Sequence, residues 1–473
     1  MTGELPTSIA PTQEMQWELM YALSPSDPGA SRVLIVDNRY LDGPLDRAAM
    51  QAAFADVIAR QDALRLTFAA VAPDPTVVIE DRIEPPVEFL DLSGLPETVQ
   101  TTRIQELAYQ ENRRRFDLGG PLWHAWVVRL SDETCLVNVS FSHVIADGAA
   151  CDVFMHDLLA AYQARTGEGP GWTADAPTFA EIHAMQTRRF EARSDKLEHW
   201  RSTLAPVPQN PDFTRNAPAD ADLLGRARIR FELPTATATE LRRIAWRAAT
   251  TPFVVVLTAY HVLLSLLAGK ERTVIASGTL TRPTKREKQS IMQFVTDTYV
   301  CADTPDGAAL RDVVAYAHRS MSDGIENLLS YKAIAQAVNP RFDTVRPWAD
   351  YHMCDGHFYS GASYSPAPKD SRLRLRHAYI PGRPPDEHAS ELMAGALTPD
   401  LFEAWDAWCG PSVAMGNPRN GGVLLYNDRV YPTEVMRGML DTYLWIVEAL
   451  AWSPQAKVGD LREEYERERR SRV

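Results

Sequence analysis

His143 lies four residues before an Asp-Gly pair, in Ser142-His143-Val144-Ile145-Ala146-Asp147-Gly148. Imidazole exchanges its proton closest to neutral pH, so this ring is the natural candidate for general acid–base work. Asp147 could accept hydrogen bonds or an arginine partner and so lock the loop. Gly148 permits a backbone geometry, or a close approach, that other residues do not. The chain has eleven histidines, and a histidine beside a strand is commonly structural, so the elements that hold this one decide its meaning.

Those elements are legible. Cys135 to Phe141 reads Cys-Leu-Val-Asn-Val-Ser-Phe after the turn-like Ser131-Asp132-Glu133, which predicts a buried strand. From Ala149 to Ala164 the residues Val153, Phe154, Leu158, Leu159 and Tyr162 recur at helical spacing. The histidine therefore sits where a strand breaks into a loop that enters a helix. A ring there can be held rigidly and still face a cavity.

These residues resemble the condensation-domain superfamily of nonribosomal peptide synthesis, which shares the fold of chloramphenicol acetyltransferase. Its hallmark is His-His-x-x-x-Asp-Gly with the second His active; here Ser142 replaces the first. The resemblance runs in order along nearly the whole chain. Leu41-Asp42-Gly43-Pro44-Leu45-Asp46 and Ala59 to Phe68 look like the family's first helix and strand. Phe116-Asp117-Leu118 with Pro121-Leu122-Trp123 matches the segment feeding the motif strand. His199-Trp200-Arg201 with Leu204-Ala205 opens the second half. Thr251-Pro252-Phe253 through Leu267-Ala268-Gly269 is similar to the central buried helix. Gly278-Thr279-Leu280-Thr281-Arg282, Phe294-Val295-Thr296-Asp297-Thr298 and Leu425-Tyr426-Asn427 stand at the family's later motifs. The signature of epimerising relatives is not visible, Asp386-Glu387-His388 being a poor match. The Asp-Phe-Gly-Trp-Gly of plant-type CoA acyltransferases is absent.

The implied fold is α/β (α+β): two chloramphenicol-acetyltransferase-like lobes with mixed sheets, V-shaped, with the active site in a tunnel between them. Residues 1–177 are expected to form the N-terminal lobe carrying the motif, and 178–473 the C-terminal lobe. Element order supports two α/β lobes: strand, helix and strand resume from Ala227, with Arg228–Leu233 and Thr273–Thr279 as strands and Ala236–Ala248 and Pro252–Ala268 as helices. A charged helical stretch is expected over Phe179–Leu204 and a last core helix over Glu434–Ala451. Residues 340–390, rich in Pro, Gly and aromatics, read as mostly irregular and able to cover or line a channel.

Composition bounds the function. The 473 residues, 45 % hydrophobic, exceed one compact domain. A net charge of −13 argues against nucleic acid. Five dispersed cysteines (Cys135, Cys151, Cys301, Cys354, Cys409) without CxxC spacing suit reduced thiols in the cytoplasm. No apolar stretch is long enough to cross a bilayer and no signal peptide is visible. His352-x-Cys354-x-x-His357 fits no established zinc pattern, so no metal is expected. Arg113-Arg114-Arg115 could contribute to a carrier-docking face, although a solvated run is the plainer reading.

The resemblance also implies a chemistry. A donor thioester on the phosphopantetheine arm of an acyl or peptidyl carrier protein, supplied in trans, would enter from one side. A small-molecule amine or alcohol, or a second carrier, would enter from the other. His143 would accept the acceptor's proton or position the nucleophile. The Gly148 N–H would stabilise the oxyanion. Asp147 would pair with an arginine, Arg282 first and Arg65 second, and so orient the loop. Ser142 would support it, while Phe294, Thr296, Asp297 and Tyr426 would line the tunnel. No tightly bound cofactor is expected, and a monomer is the plainest state. The expected activity is that of a free-standing condensation enzyme forming an amide or ester in natural-product biosynthesis. A non-catalytic docking module and a CoA-dependent acyltransferase are the alternatives.

Overall fold

In a computed structural model the described residues are 6–17, 30–31, 34–70, 75–111, 114–191, 193–205, 227–338, 354–360, 374–377, 412–415, 421–426 and 431–471. The chain divides into two units. One takes in Met1–Glu191, Leu280–Val295 and Ser363–Asp400; the other takes in Ala192–Thr279, Thr296–Ala362 and Leu401–Val473. The boundary expected between 177 and 178 thus falls after Glu191, and Leu280–Val295 returns to the first unit. Side chains explain the return. Gln61 Nε2 donates to the Gln289 carbonyl (3.0 Å) and its Oε1 accepts from Ile291 N (3.0 Å). Arg189 pairs with the buried Glu287.

The first unit is built on a five-stranded sheet in the order Arg374–His377, Leu34–Asp42, Thr134–Ser142, Trp123–Arg129, Val87–Asp91. Its neighbours are antiparallel except for the last pair, which is parallel. Every residue of the strand Thr134–Ser142 after Thr134 is buried. That is why it reads as a continuous run rather than an alternating one. On one face the helices Arg47–Arg60 and Gly148–Thr166 pack Phe54 and Phe154 against Trp123 and Phe141. On the other, Glu97–Glu111 covers Trp126, Val128 and Leu136.

The second unit carries a six-stranded mixed sheet. Its order is Val295–Asp303, Arg272–Leu280, Gly356–Ser360, Ser412–Met415, Gly421–Tyr426, Ala227–Glu232. Gly356–Ser360 pairs in parallel with both neighbours, and the last two pairings are antiparallel. Pro252–Ala268 is its core helix, buried from Val254 to Leu266. The local chemistry sets its ends: the Thr251 side chain accepts from Val254 N, Pro252 occupies the first turn, and Gly269 closes the helix at φ 64°. No helix among the described residues is long and apolar enough to cross a membrane on its own.

Several sequence expectations shift. Phe179–Leu204 is two helices, Phe179–Glu191 and Leu197–Thr203, not one. Within 340–390, read as mostly irregular, Gly356–Ser360 and Arg374–His377 are strands; apart from Cys354 and Asp355 the rest of that segment, with Trp348, Tyr351 and Tyr364, lies outside the described residues, as do Arg113, His352, Asp386 to His388 and Cys409. The remaining four cysteines are free thiols. Arg114 does not present a free charge for docking: it forks onto Glu111 at 2.7 and 3.1 Å. Burial alone would push the Glu111 carboxyl up. Hydrogen bonds from His124 and Arg114, the charge of His124 and the Ser140 hydroxyl overcome it and hold the group at about 2.

Candidate active site

The motif strand ends at Ser142, and the chain turns at once. Ile145 N donates back to the Ser142 carbonyl at 3.0 Å, which puts His143 and Val144 at the centre of a tight turn. Ser142 is fully buried and its hydroxyl meets that of Ser31 at 2.6 Å. It therefore ties the strand end to the short strand Ala30–Ser31.

Asp147 closes the turn. It caps the helix Gly148–Thr166, its Oδ1 accepting from Ala150 N at 2.8 Å. The same carboxylate accepts from Arg282 Nη2 at 2.8 Å and from Phe294 N at 2.9 Å, and is wholly buried. The Arg282 guanidinium also donates to the carbonyls of Glu287, Ser290 and Met292, at 2.9, 2.7 and 2.8 Å. Its plane lies over the Phe294 ring, 4.2 Å from the centroid. Arg65, the second choice of partner, is engaged elsewhere, on Asp62 at 2.7 Å and on the carbonyls of Ile58 and Glu80. Asp147, Arg282 and Phe294 thus form one buried ionic and stacked unit that holds the loop.

Within this frame His143 is half-buried. Its Nδ1 is buried and makes no well-formed hydrogen bond. Burial pulls the imidazole below its ordinary value, against the carbonyls of His143 itself and Ala146 and the charge of Asp147, which favour the protonated ring. The net direction is down, so the ring is neutral at pH 7 and able to accept a proton.

Gly148 is exposed, and its φ is not in the left-handed region. A Cβ there would meet only Ile35 Cδ1, at 4.0 Å. Backbone conformation does not demand glycine here; what glycine leaves is room at the start of the helix. The N–H groups of Gly148 and Ala149 precede the first intrahelical bond, and the helix dipole concentrates positive potential at them.

Sequence reasoning missed a support from the N-terminal segment. Pro11–Gln13 forms a 3-10 turn. From it Gln13 Nε2 donates to the Val144 carbonyl at 2.7 Å, while Gln13 Oε1 accepts from Ala10 N at 2.9 Å. The Thr12 hydroxyl lies 2.8 Å from Gln186 Oε1 and 2.6 Å from the Gln293 carbonyl. The local signal was Pro at a first helical position with Gln two residues on; nothing local points to residue 144.

The structure does not bring all the candidate residues together in one unit. Ser142, His143, Asp147, Gly148, Arg282 and Phe294 belong to the first; Thr296, Asp297 and Tyr426 belong to the second. Tyr426 is buried in the second core, with its hydroxyl 3.0 Å from Thr433 Oγ1. Asp297 is 3 % exposed, and its Oδ1 is buried without a hydrogen bond. Burial pushes its carboxyl up to about 7.

That shift has a sign for stability. The folded carboxyl holds its proton to higher pH than the unfolded one, so its contribution is full below about pH 4 and is lost as pH rises through about 7. Asp297→Asn removes the titration. Urea unfolding should show the variant gaining about 3 kcal/mol more over wild type at pH 8 than at pH 4.5, the difference building up between about pH 4 and 7. An equal gain at both would mean that the carboxyl does not titrate in this range.

Among the described residues no group of three or more His, Cys, Asp or Glu could hold a metal ion. The arrangement in the first unit can do one thing well: hold the imidazole of His143 on an anchored turn that leads into the start of the helix Gly148–Thr166.

Comparison with known proteins gives this arrangement a family context. The family model described as Condensation domain matches residues 7–324. The phosphinothricin tripeptide synthetase PhsC of Streptomyces viridochromogenes is 28 % identical over 330 residues, covering 68 % of this chain and 30 % of that protein. The chain spans 30 % or less of the length of the curated relatives it matches. Among solved structures, the SgcC5 protein of Streptomyces globisporus superposes with a TM-score of 0.76 at 21 % identity, covering 95 % of this chain and 100 % of that one. The X-domain in its complex with OxyB from teicoplanin biosynthesis gives 0.75 at 20 % identity, covering 98 % and 96 %. Both structural likenesses speak for the fold.

Proposed function

The chain belongs to the condensation-domain family, and from that premise we propose that it transfers an acyl or aminoacyl group from a carrier-bound phosphopantetheine thioester to an amine or hydroxyl acceptor. In this proposal the carrier is supplied in trans, and the setting is natural-product biosynthesis. The product is an amide or an ester. The observation that carries the reading is the setting of His143: an imidazole on a turn anchored at Ser142, Val144 and Asp147, with its buried Nδ1 making no hydrogen bond.

The acceptor's nitrogen or oxygen attacks the thioester carbonyl while His143 takes its proton. A C–N or C–O bond forms, and the carbonyl electrons collect on oxygen. The Gly148 N–H, at the positive end of its helix, stabilises that charge. The carbonyl re-forms, the C–S bond breaks, and the imidazolium returns the proton to the departing thiolate. No covalent enzyme intermediate and no metal enter these steps. Asp147 and Arg282 do no proton chemistry; they hold the turn.

Product formation on carrier thioesters, followed by mass spectrometry, tests this. The panel should include amines, alcohols and aryl vicinal diols, since SgcC5 was solved with a naphthyl ethanediol. Product from carrier thioesters, with acyl-CoA at least tenfold slower, is the expected result. Equal or better turnover of acyl-CoA would assign a CoA-dependent acyltransferase instead. Carrier binding without product from any donor would assign the docking reading.

A further inference from the structure

We propose that Gln13 is a positioning residue for the reaction, holding the turn that presents His143; this rests on the reading that His143 is the catalytic base. The amide of Gln13 is fully buried and satisfied at both ends. Its oxygen is fixed by Ala10 N at 2.9 Å, so its nitrogen has one direction left, toward the Val144 carbonyl at 2.7 Å. Val144 follows His143, and that carbonyl belongs to the peptide plane leading into Ile145, whose N–H closes the turn on Ser142. Rotating the plane would open the turn and swing the imidazole.

The neighbouring residue shows that the contact is part of a larger clamp. Thr12 bonds the Gln293 carbonyl, one residue before Phe294, whose N–H is bound by Asp147. The turn Pro11–Gln13 therefore grips both partners that Asp147 joins: the His143 loop through Gln13, and the Arg282–Phe294 segment through Thr12. Asp147 fixes the far end of the loop and Ser142 the near end. Gln13 is the contact between them, adjacent to the reacting ring. Its sequence separation from Val144 is 131 residues, so its role is a tertiary one.

Gln13→Met keeps the length of the side chain and removes both hydrogen bonds. The expected result is a fall in kcat of at least tenfold with KM for the carrier thioester changed less than threefold. In the substrate-free protein, the side-chain ¹⁵N and ¹³C signals of His143 should move toward those of a solvent-exposed imidazole. Trp17→Phe is the control. Trp17 is buried on the same segment against Phe68, with ring centroids 4.7 Å apart, and touches neither Val144 nor the turn through any hydrogen bond. It should lower the melting temperature yet leave kcat within twofold and the His143 signals in place. If Gln13→Met does not fold, Gln13→Asn, which keeps the amide but is one methylene short, carries the same expectations. The inference is overturned if the folded Gln13 variant keeps kcat within twofold and His143 unshifted, or if Trp17→Phe reproduces both changes. Should the wild type make no product from any donor, the proposed function fails, and the His143 signals still decide whether Gln13 sets the turn.

Discussion

Arg282→Met destabilises the unit carrying His143 by about 3–5 kcal/mol, the cost of leaving a buried charge without its partner. Asp147 is 0 % and Arg282 5 % exposed. Removing the guanidinium leaves the Asp147 carboxylate with only the N–H groups of Ala150 and Phe294. It also orphans the carbonyls of Ser290 and Met292, takes one of three donors from the Glu287 carbonyl, which keeps the Ser290 N–H and hydroxyl, and strips the cation from the face of Phe294. Melting of the full chain should fall by roughly 10 °C, at about 2–4 °C per kcal/mol for a domain of this size. Arg282→Lys should recover little, because one ammonium cannot serve four acceptors spread around a planar fork. Asp147→Asn combined with Arg282→Met should recover part of the loss, since no charge is then stranded. A melting temperature within 3 °C of wild type for Arg282→Met would mean that the pair does not hold the loop.

Sequence made some of this site legible for physical reasons and hid the rest for others. The motif strand showed itself because it is buried on both faces and so reads as a run. The helix start showed itself because Asp147 is a capping residue type at the point where helical periodicity begins. Arg282 was reachable only through the family resemblance: no local pattern links residue 147 to 282. Gln13 lacked even that, and a contact across 131 residues leaves no periodicity to find. The division of the chain was misplaced for the same reason. Leu280–Val295 lies inside the stretch assigned to the C-terminal lobe, yet the bonds of Gln61, Arg189 and Arg282 draw it into the first unit. Segment 340–390 was read as irregular because its strand Gly356–Ser360 is specified by neighbours far away, at Ile275–Ala276 and Ser412–Met415, and not by its own composition. The triplet at Arg113 to Arg115 looked like a free basic patch because the partner of Arg114, Glu111, sits on a helix end whose burial sequence alone does not reveal.

His143→Ala should lower the rate of product formation by about 10²–10⁴-fold, the range for losing a positioned general base. The loss should appear in kcat. Unlike Arg282, His143 is half-buried, with an unpartnered Nδ1. Truncation strands no charge and breaks no hydrogen bond at that atom, so melting should move by no more than a few degrees. The contrast matters: a large rate loss in a fully stable variant separates chemistry from scaffolding, which the Asp147 and Arg282 variants cannot do. The pH profile supplies the second half of the argument. A base works as the neutral ring, so the rate should climb with pH as the imidazolium loses its proton and level off once it has. Burial pulls His143 down, so the midpoint should lie below the ordinary histidine value of 6.5. Asp297, held at about 7, is a competing source of an inflection, and Asp297→Asn removes it while leaving the His143 limb intact. If His143→Ala retains more than a third of the wild-type rate, or if the rising limb disappears with Asp297→Asn, proton transfer does not run through His143. The neutral imidazole on its clamped turn would then be a structural feature of the first unit.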